Sequence, residues 1–235
     1  MPPGPLLCDF RAVLFDVDGT LVDSLETIVL GLGDTIESFG GTRPDREELL
    51  GIIGLPLRKQ MAMYAKRDAE VAAMISLAIE RMAAHADLER IFQPAVECLR
   101  LCHSQGLKTA LVTSKSAVEL APFLQRFPGA SAVDVTVCAS DVVNPKPDPE
   151  SARLACQRMG VAPAESILIG DSVFDLRCAR SAGTACIAVA YGAGRREDLL
   201  KEEPDLLFAA PEDLLAWAQD AFLQTTCHAK SQITP

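Results

Sequence analysis

Short apolar segments alternate with amphipathic helical segments through the chain from Gln93 onward. Within the apolar segments there is no polar alternation, which is typical of strands buried on both faces of a parallel sheet. Helices between such strands supply the crossover connections that parallel pairing requires. The pattern therefore predicts an α/β fold with a Rossmann-like, doubly wound parallel sheet as its core. The predicted strands are residues 11–15, 108–112, 133–138, 166–170, 184–189 and 206–208.

One long block without a strand pattern separates the first predicted strand from the second. Apolar residues in this block recur at helical spacing, and no convincing strand precedes Leu107. Ser24 is the expected N-cap of the first helix. We therefore expect a core of residues 1–22 and 93–235 with an all-helical cap domain of residues 23–92 inserted into it. The helices predicted in the block are residues 24–39, 45–51, 57–66 and 68–86.

The composition excludes several classes of protein. The chain has 235 residues, of which 49% are apolar, so it can bury a packed core. Its net charge of −10 disfavours nucleic acid and anionic membranes as partners, because their phosphates would repel it. No apolar run approaches the ~20 residues of a membrane span, and we recognise no signal peptide. We expect a cytoplasmic monomer or homodimer whose eight cysteines are reduced.

Polar side chains follow four of the predicted strands where each strand ends. Each feature alone is typical of a helix cap, a turn or an exposed loop. In a doubly wound sheet, however, ligands bind outside the carboxyl ends of the strands, near the point where the strand order reverses. The joint pattern therefore predicts one site. Its candidate residues are Asp16 and Asp18, Thr113 and Ser114, Lys146, and Asp171 with Asp175.

The acidic residues of this set indicate a metal ion. Carboxylates that converge from different strands repel one another unless a cation lies between them. Oxygen ligands suit Mg²⁺, whereas the absence of thiolates and imidazoles disfavours Zn²⁺. Asp16, Asp18 and Asp171 are the candidate metal ligands, with Asp175 as a supporting acid. A calcium loop starting at Asp16 is excluded because its twelfth position is Thr27 rather than Glu.

The remaining polar residues suit a tetrahedral dianion. Lys146 supplies a positive charge, and Thr113 or Ser114 can donate hydrogen bonds together with backbone N–H groups. A carboxylate such as that of Asp16 can attack phosphorus and form an aspartyl-phosphate. Asp18, two residues on, can protonate the leaving oxygen and later deprotonate water.

Four segments together resemble the motifs of the haloacid dehalogenase superfamily, in its phosphoglycolate phosphatase-like branch with an inserted helical cap. They are DVDGT at 16–20, VTSK at 112–115, Lys146 within NPKP, and GDSVFD at 170–175. Their order and spacing both match those of the family.

The resemblance implies a role for each matching residue. Asp16 corresponds to the nucleophile and to a Mg²⁺ ligand, and Asp18 to the general acid and base whose backbone carbonyl also reaches the metal. Thr113 and Lys146 correspond to the phosphate-binding hydroxyl and ammonium, and Asp171 to the remaining carboxylate ligand. Asp175 occupies the supporting acidic position. The implied function is Mg²⁺-dependent hydrolysis of a small phosphate monoester, such as phosphoglycolate, through an aspartyl-phosphate.

Several alternatives stay open within this resemblance. An acid at position 18 favours phosphoryl transfer over dehalogenation. Relatives similar to β-phosphoglucomutase usually carry a His and a Trp soon after the first motif, and residues 24–29 contain neither. Phosphoryl transfer of that kind is therefore less favoured, and pyrophosphate hydrolysis also remains possible. A catalytically idle regulatory module on the same scaffold is the alternative from another class, although no motif position is lost.

The cap is the expected source of substrate selection. Arg58 lies where relatives place a specificity loop, and its guanidinium could bind a substrate carboxylate or a second phosphate in bidentate fashion. Alternatively, Arg58 faces solvent at the start of a helix. The expected partner is a small phosphorylated metabolite.

Overall fold

The computed structural model describes the backbone of residues 7–231 and the side chains of residues 7 and 9–223. Eight strands and ten α-helices occur in this part of the chain. The strands are β1 (Ala12–Phe15), β2 (Val22–Asp23), β3 (Arg90–Ile91), β4 (Lys108–Val112), β5 (Val135–Val137), β6 (Ser166–Gly170), β7 (Ala185–Val189) and β8 (Leu206–Phe208). The helices are α1 (Leu25–Ser38), α2 (Arg46–Leu50), α3 (Leu57–Tyr64), α4 (Val71–Ala84), α5 (Gln93–Ser104), α6 (Ala117–Arg126), α7 (Glu150–Met159), α8 (Val173–Ala182), α9 (Arg196–Lys201) and α10 (Pro211–Ser231).

Six of the strands form one parallel sheet in the order β5-β4-β1-β6-β7-β8. The chain runs from β1 outward through β4 and β5, and then returns to the other side of β1 for β6, β7 and β8. The strand order therefore reverses at β1, and the crevice for ligands is expected at the carboxyl ends of β1 and its two neighbours. The predicted α/β class and doubly wound sheet are confirmed.

Helices cover both faces of the sheet because successive side chains of each strand point to opposite sides. Val13 and Phe15 pack on one face with residues of α5, α6 and α10. Ala12 and Leu14 pack on the other face with residues of α7, α8 and α9. All four of these β1 side chains are fully buried, which explains why the strand has no polar alternation.

Helices α1 to α4 form a separate hydrophobic cluster between β2 and β3, and we call this helical block the cap. Leu32 and Ile36 of α1 are buried there with Met74 and Ala78 of α4. A Cβ at Gly31 of α1 would collide with Met82, so glycine permits this close approach of the two helices. Among the helices of residues 7–231, none is long and apolar enough to span a membrane.

A two-stranded antiparallel ribbon joins the cap to the core. It pairs Val22 with Ile91 and Asp23 with Arg90. The expectation of no strand between the first predicted strand and Leu107 was therefore wrong, because strands of two residues are too short to show a period. The ribbon lies beside both expected domain boundaries, and the division into residues 1–22 with 93–235 and residues 23–92 stays a prediction.

Candidate active site

The register of the sheet brings three strand ends to one level. Phe15 at the end of β1 aligns with Leu111 of β4 and with Ile169 of β6. The chain then leaves the sheet at Asp16, whose N–H still donates to the Ile169 carbonyl at 2.9 Å. The residues that follow these three strands therefore meet at one edge of the sheet, as the sequence predicts.

Lys146 is the buried cation of this edge. Its side chain is 1% exposed, and its Nζ donates to Asp16 Oδ1 at 2.7 Å, to Asp175 Oδ1 at 2.6 Å and to the Val112 carbonyl at 3.0 Å. Burial alone would lower the pKa of Lys146, but Asp16 and Asp175 outweigh burial and raise it above its usual value. The ammonium therefore stays charged and is held by three acceptors.

The Asp171 carboxylate is closely surrounded by two segments of the chain, residues 19–20 and 192–193. Thr20 Oγ1 donates to its Oδ1 at 3.0 Å, and the Ala193 N–H donates to its Oδ2 at 2.7 Å. A Cβ at Gly19 or at Gly192 would collide with this carboxylate, and Gly19 also has φ +77°. The glycine of the DVDGT motif therefore lets the backbone after Asp18 pass beside Asp171.

Asp175 supports the site from the first turn of α8. Its Oδ2 accepts from the Ser172 N–H at 3.1 Å and from Ser172 Oγ at 2.5 Å, forming a capping box. Its Oδ1 accepts from Lys146. Because its two oxygens accept hydrogen bonds from Lys146 and from Ser172, Asp175 fixes the positions of Lys146 and of the turn between β6 and α8.

Asp16, Asp171 and Asp175 form a buried acidic group in which one carboxylate oxygen of each residue lies within 4.8 Å of the other two. Burial, followed by the charge of Asp175, raises the pKa of Asp16 to about 7. Burial, followed by the charges of Asp16 and Asp175, raises the pKa of Asp171 well above its usual range. Such mutual repulsion among hard oxygen donors is the electrostatic environment that a divalent cation relieves, and the donor set fits Mg²⁺.

Asp18 lies at the same edge but in a different network. Its Oδ2 is 2.9 Å from Lys115 Nζ, and its Oδ1 accepts from Ser24 Oγ at 2.5 Å. Ser24 occupies the N-cap position of α1, as predicted, but its side chain makes no capping hydrogen bond. Lys115 had no predicted role. Its motif position beside Thr113 and Ser114 was the available signal.

The two predicted phosphate-binding hydroxyls have different surroundings. Thr113 is buried, and its Oγ1 accepts from the Lys115 N–H at 3.2 Å. Ser114 Oγ donates to the Gly54 carbonyl of the cap at 2.5 Å. A Cβ at Gly54 would lie 2.7 Å from Ser172 Oγ and 2.9 Å from Phe174. This segment of the cap therefore rests directly on the β4 and β6 loops.

A cavity of about 40 Å³ lies between the cap and these strand ends. Asp16, Asp18, Ser114 and Lys115 line it from the core, together with cap residues that include Gln60. Arg58 does not line this cavity. It lines an adjoining cavity of about 490 Å³, which shares Leu57, Ser114 and Glu119 with the first.

Known proteins are similar to this chain in sequence and in fold. The family model for haloacid dehalogenase-like hydrolases matches residues 13–189. Pyrophosphatase PpaX of Bacillus velezensis is 31% identical over 205 residues, covering 87% of this chain and 94% of that protein. Phosphoglycolate phosphatase 1 of Pseudomonas aeruginosa is 28% identical over 90% of this chain and 80% of that protein.

A solved haloacid dehalogenase-like hydrolase from Streptococcus pneumoniae is 25% identical with a TM-score of 0.76, covering 89% of this chain and 99% of that one. The family match spans most of the chain and contains all the strand ends that form the cavity. The protein is therefore a hydrolase of the haloacid dehalogenase-like family.

Proposed function

We propose that the protein is a Mg²⁺-dependent phosphatase that hydrolyses a small phosphate monoester through a phosphoryl group carried by Asp16. The observation that carries this proposal is the position of the Asp16 carboxylate. One of its oxygens is bound to Lys146, its neighbours are the Asp171 and Asp175 carboxylates, and the residue lines a cavity with Asp18. A nucleophile, a second carboxylate for proton transfer and a fixed ammonium are the groups that such a reaction needs.

Asp16, Asp171 and the backbone carbonyl of Asp18 are the proposed Mg²⁺ ligands, and Asp175 is the proposed supporting acid. The crowding of carboxylates described above supports this assignment. When bound, the cation neutralises negative charge and polarises a phosphoryl oxygen.

In the first proposed half-reaction, an Asp16 oxygen attacks phosphorus and forms an O–P bond while the ester O–P bond breaks. Asp18 gives its proton to the leaving alcohol oxygen. In the second half-reaction, Asp18 takes a proton from water, whose oxygen attacks phosphorus while the bond to Asp16 breaks and phosphate leaves. Lys146 balances charge on Asp16, and Lys115 with Ser24 orients the Asp18 carboxylate. Thr113 and Ser114 are the proposed hydroxyl contacts to phosphate.

The direct test is hydrolysis of an aryl phosphate with Mg²⁺ and after EDTA treatment. We expect release of phosphate with Mg²⁺, loss of that release in EDTA and recovery when Mg²⁺ is restored. Absence of hydrolysis under all three conditions would support the idle regulatory module instead.

Asp18→Asn is expected to slow turnover by about 10²–10⁴-fold, the usual contribution of general acid–base catalysis. An aryl phosphate has a leaving group that needs little protonation, so the substitution should lower the rate of the first half-reaction less than that of the second. Intact-mass spectrometry of the variant should therefore detect a retained phosphoryl group, and the Asp16→Asn/Asp18→Asn double variant should retain none. Unchanged turnover in Asp18→Asn would contradict the proton-transfer role.

Mg²⁺ is expected to stabilise the protein against unfolding through the acidic group. A ligand present at a hundred times its dissociation constant adds about 2.7 kcal/mol to the free energy of unfolding. Asp171→Asn should lose most of this gain while remaining folded in EDTA, because its amide oxygen can still accept from the Ala193 N–H. Thermal denaturation with and without Mg²⁺ measures the effect, and Asp220→Asn at an exposed position of α10 is the matched control. If Mg²⁺ stabilised both variants equally, the cation would bind at a site other than the acidic group.

Pyrophosphate is a second candidate substrate because the PpaX relative is named a pyrophosphatase. Comparing phosphate release from pyrophosphate and from phosphate monoesters separates the two functions. Product analysis with a hexose monophosphate tests phosphoryl transfer to a sugar. Arg58 remains a proposed contact for the part of a substrate that extends into the larger cavity. We place the protein in the cytoplasm, acting on a phosphorylated metabolite.

A further inference from the structure

Gln60 of α3 is a polar cap residue buried over the proposed reaction site. Its residue exposure is 6%, and it lines the same cavity as Asp16 and Asp18. Most of the other cap side chains that line this cavity are aliphatic, among them Ile28, Ile53 and Leu57. A buried amide in such surroundings needs partners for both of its ends.

The structure supplies a partner for one end alone. Gln60 Nε2 donates to the Leu55 carbonyl at 2.7 Å. Because a carbonyl oxygen only accepts, this bond fixes which end of the amide faces Leu55. Gln60 Oε1 is thereby fixed at the other end. Among the described residues it is the one buried side-chain nitrogen or oxygen without a hydrogen-bond partner.

We propose that Gln60 Oε1 accepts a hydrogen bond from a hydroxyl of the substrate's leaving group, so that the preferred substrates are polyol or sugar phosphates. This inference rests on the proposed phosphatase function and narrows its substrate class. Oε1 is already closed to solvent, so its missing donor must come from a group that enters beside it, and a substrate hydroxyl supplies that group.

The same argument disfavours two small substrates. Near neutral pH, pyrophosphate and phosphoglycolate present mainly anionic oxygens, which only accept hydrogen bonds. Against Gln60 Oε1 they would leave two acceptors facing each other. Sites built to bind a hydroxyl discriminate strongly against analogues that lack it, because the buried group then stays unpaired.

The test compares pairs of esters that differ in their hydroxyl groups. The first pair is glycerol 3-phosphate and n-propyl phosphate, and the second is glucose 6-phosphate and cyclohexylmethyl phosphate. An aryl phosphate without a hydroxyl serves as the reference for the reaction itself. The expected result is a kcat/KM that is higher by about tenfold or more for the hydroxyl-bearing member of at least one pair. Phosphoglycolate and pyrophosphate should rank with the hydroxyl-free esters.

Variants of Gln60 show whether the residue binds the substrate hydroxyl or only stabilises the cap. Gln60→Met removes the acceptor at similar volume and should abolish the preference within the pair, measured as the ratio of the kcat/KM values for the two esters. Gln60→Glu keeps an acceptor and should keep the preference, although one of its carboxylate oxygens then faces the Leu55 carbonyl without a donor. Gln125→Met at an exposed position of α6 is the matched control.

The outcomes distinguish the two proposals. No hydrolysis of the aryl phosphate would overturn the phosphatase function and the role of Gln60 together. Hydrolysis of the aryl phosphate without any preference for hydroxyl-bearing esters would overturn the role of Gln60 alone. An equal loss on all substrates in Gln60→Met would also overturn it, because that result indicates support of the cap.

Discussion

Asp16→Asn is expected to reduce phosphate release by at least about a thousandfold without unfolding the protein. The loss is large because the nucleophile acts as a unit with its partners, and neither Asp18 nor Lys146 can replace it. The fold should persist because Lys146 keeps two of its acceptors, Asp175 and the Val112 carbonyl. The substitution also removes one negative charge from a group of three buried carboxylates. In EDTA the free energy of unfolding should therefore be equal to or higher than that of the parent protein.

Three measurements check this prediction: the rate of aryl phosphate hydrolysis, the urea unfolding midpoint in EDTA, and labelling of the protein by the substrate phosphoryl group. The parent protein should show transient labelling that Asp16→Asn lacks. Asp220→Asn makes the same chemical change on the exposed face of α10 and should match the parent in all three. Substantial activity in Asp16→Asn would exclude an Asp16 phosphoryl intermediate.

Much of the core could be predicted because its signals are local. A buried parallel strand such as β6 has a continuous apolar run, and the position of each strand end then follows from the register of the sheet. The sequence alone could therefore assign Asp16, Lys146 and Asp171 to one edge of the sheet. Their individual roles are proposals that rest on this placement and on the resemblance.

The features that sequence reasoning missed depend on tertiary contacts. The β2–β3 ribbon pairs two short segments that lie on either side of the whole cap. Ser24 has the sequence signature of a helix cap, but Asp18 competes for its hydroxyl and binds it instead. Gln60 could not be predicted as a site residue, because an isolated Gln in a helix belongs to no motif. Its importance comes from a buried oxygen that packing leaves unpaired in a residue lining the cavity.

Lys146→Met is expected to destabilise the metal-free protein by about 3–5 kcal/mol, the usual cost of removing one partner from a buried ion pair. Lys146 is the shared donor for Asp16 and Asp175, and all three side chains are almost fully buried. Without the ammonium, these carboxylates and Asp171 face one another with no compensating charge. Lys108→Met is the control, because Lys108 and Asp134 form an exposed pair whose loss should cost at most about 1 kcal/mol.

A second substitution shows whether charge is the cause of this destabilisation. In the Lys146→Met/Asp16→Asn double variant, one of the uncompensated carboxylates is neutral, so part of the lost free energy of unfolding should return. Mg²⁺ should also stabilise Lys146→Met more than it stabilises the parent, because the cation replaces charge that the lysine supplied. Urea denaturation is measured for the parent, the two single variants and the double variant, in EDTA and in Mg²⁺. These measurements give the coupling energy between Lys146 and Asp16 and that between Lys146 and Mg²⁺. If the double variant is as unstable as the sum of its single changes predicts, the lysine supports the fold through packing rather than through charge.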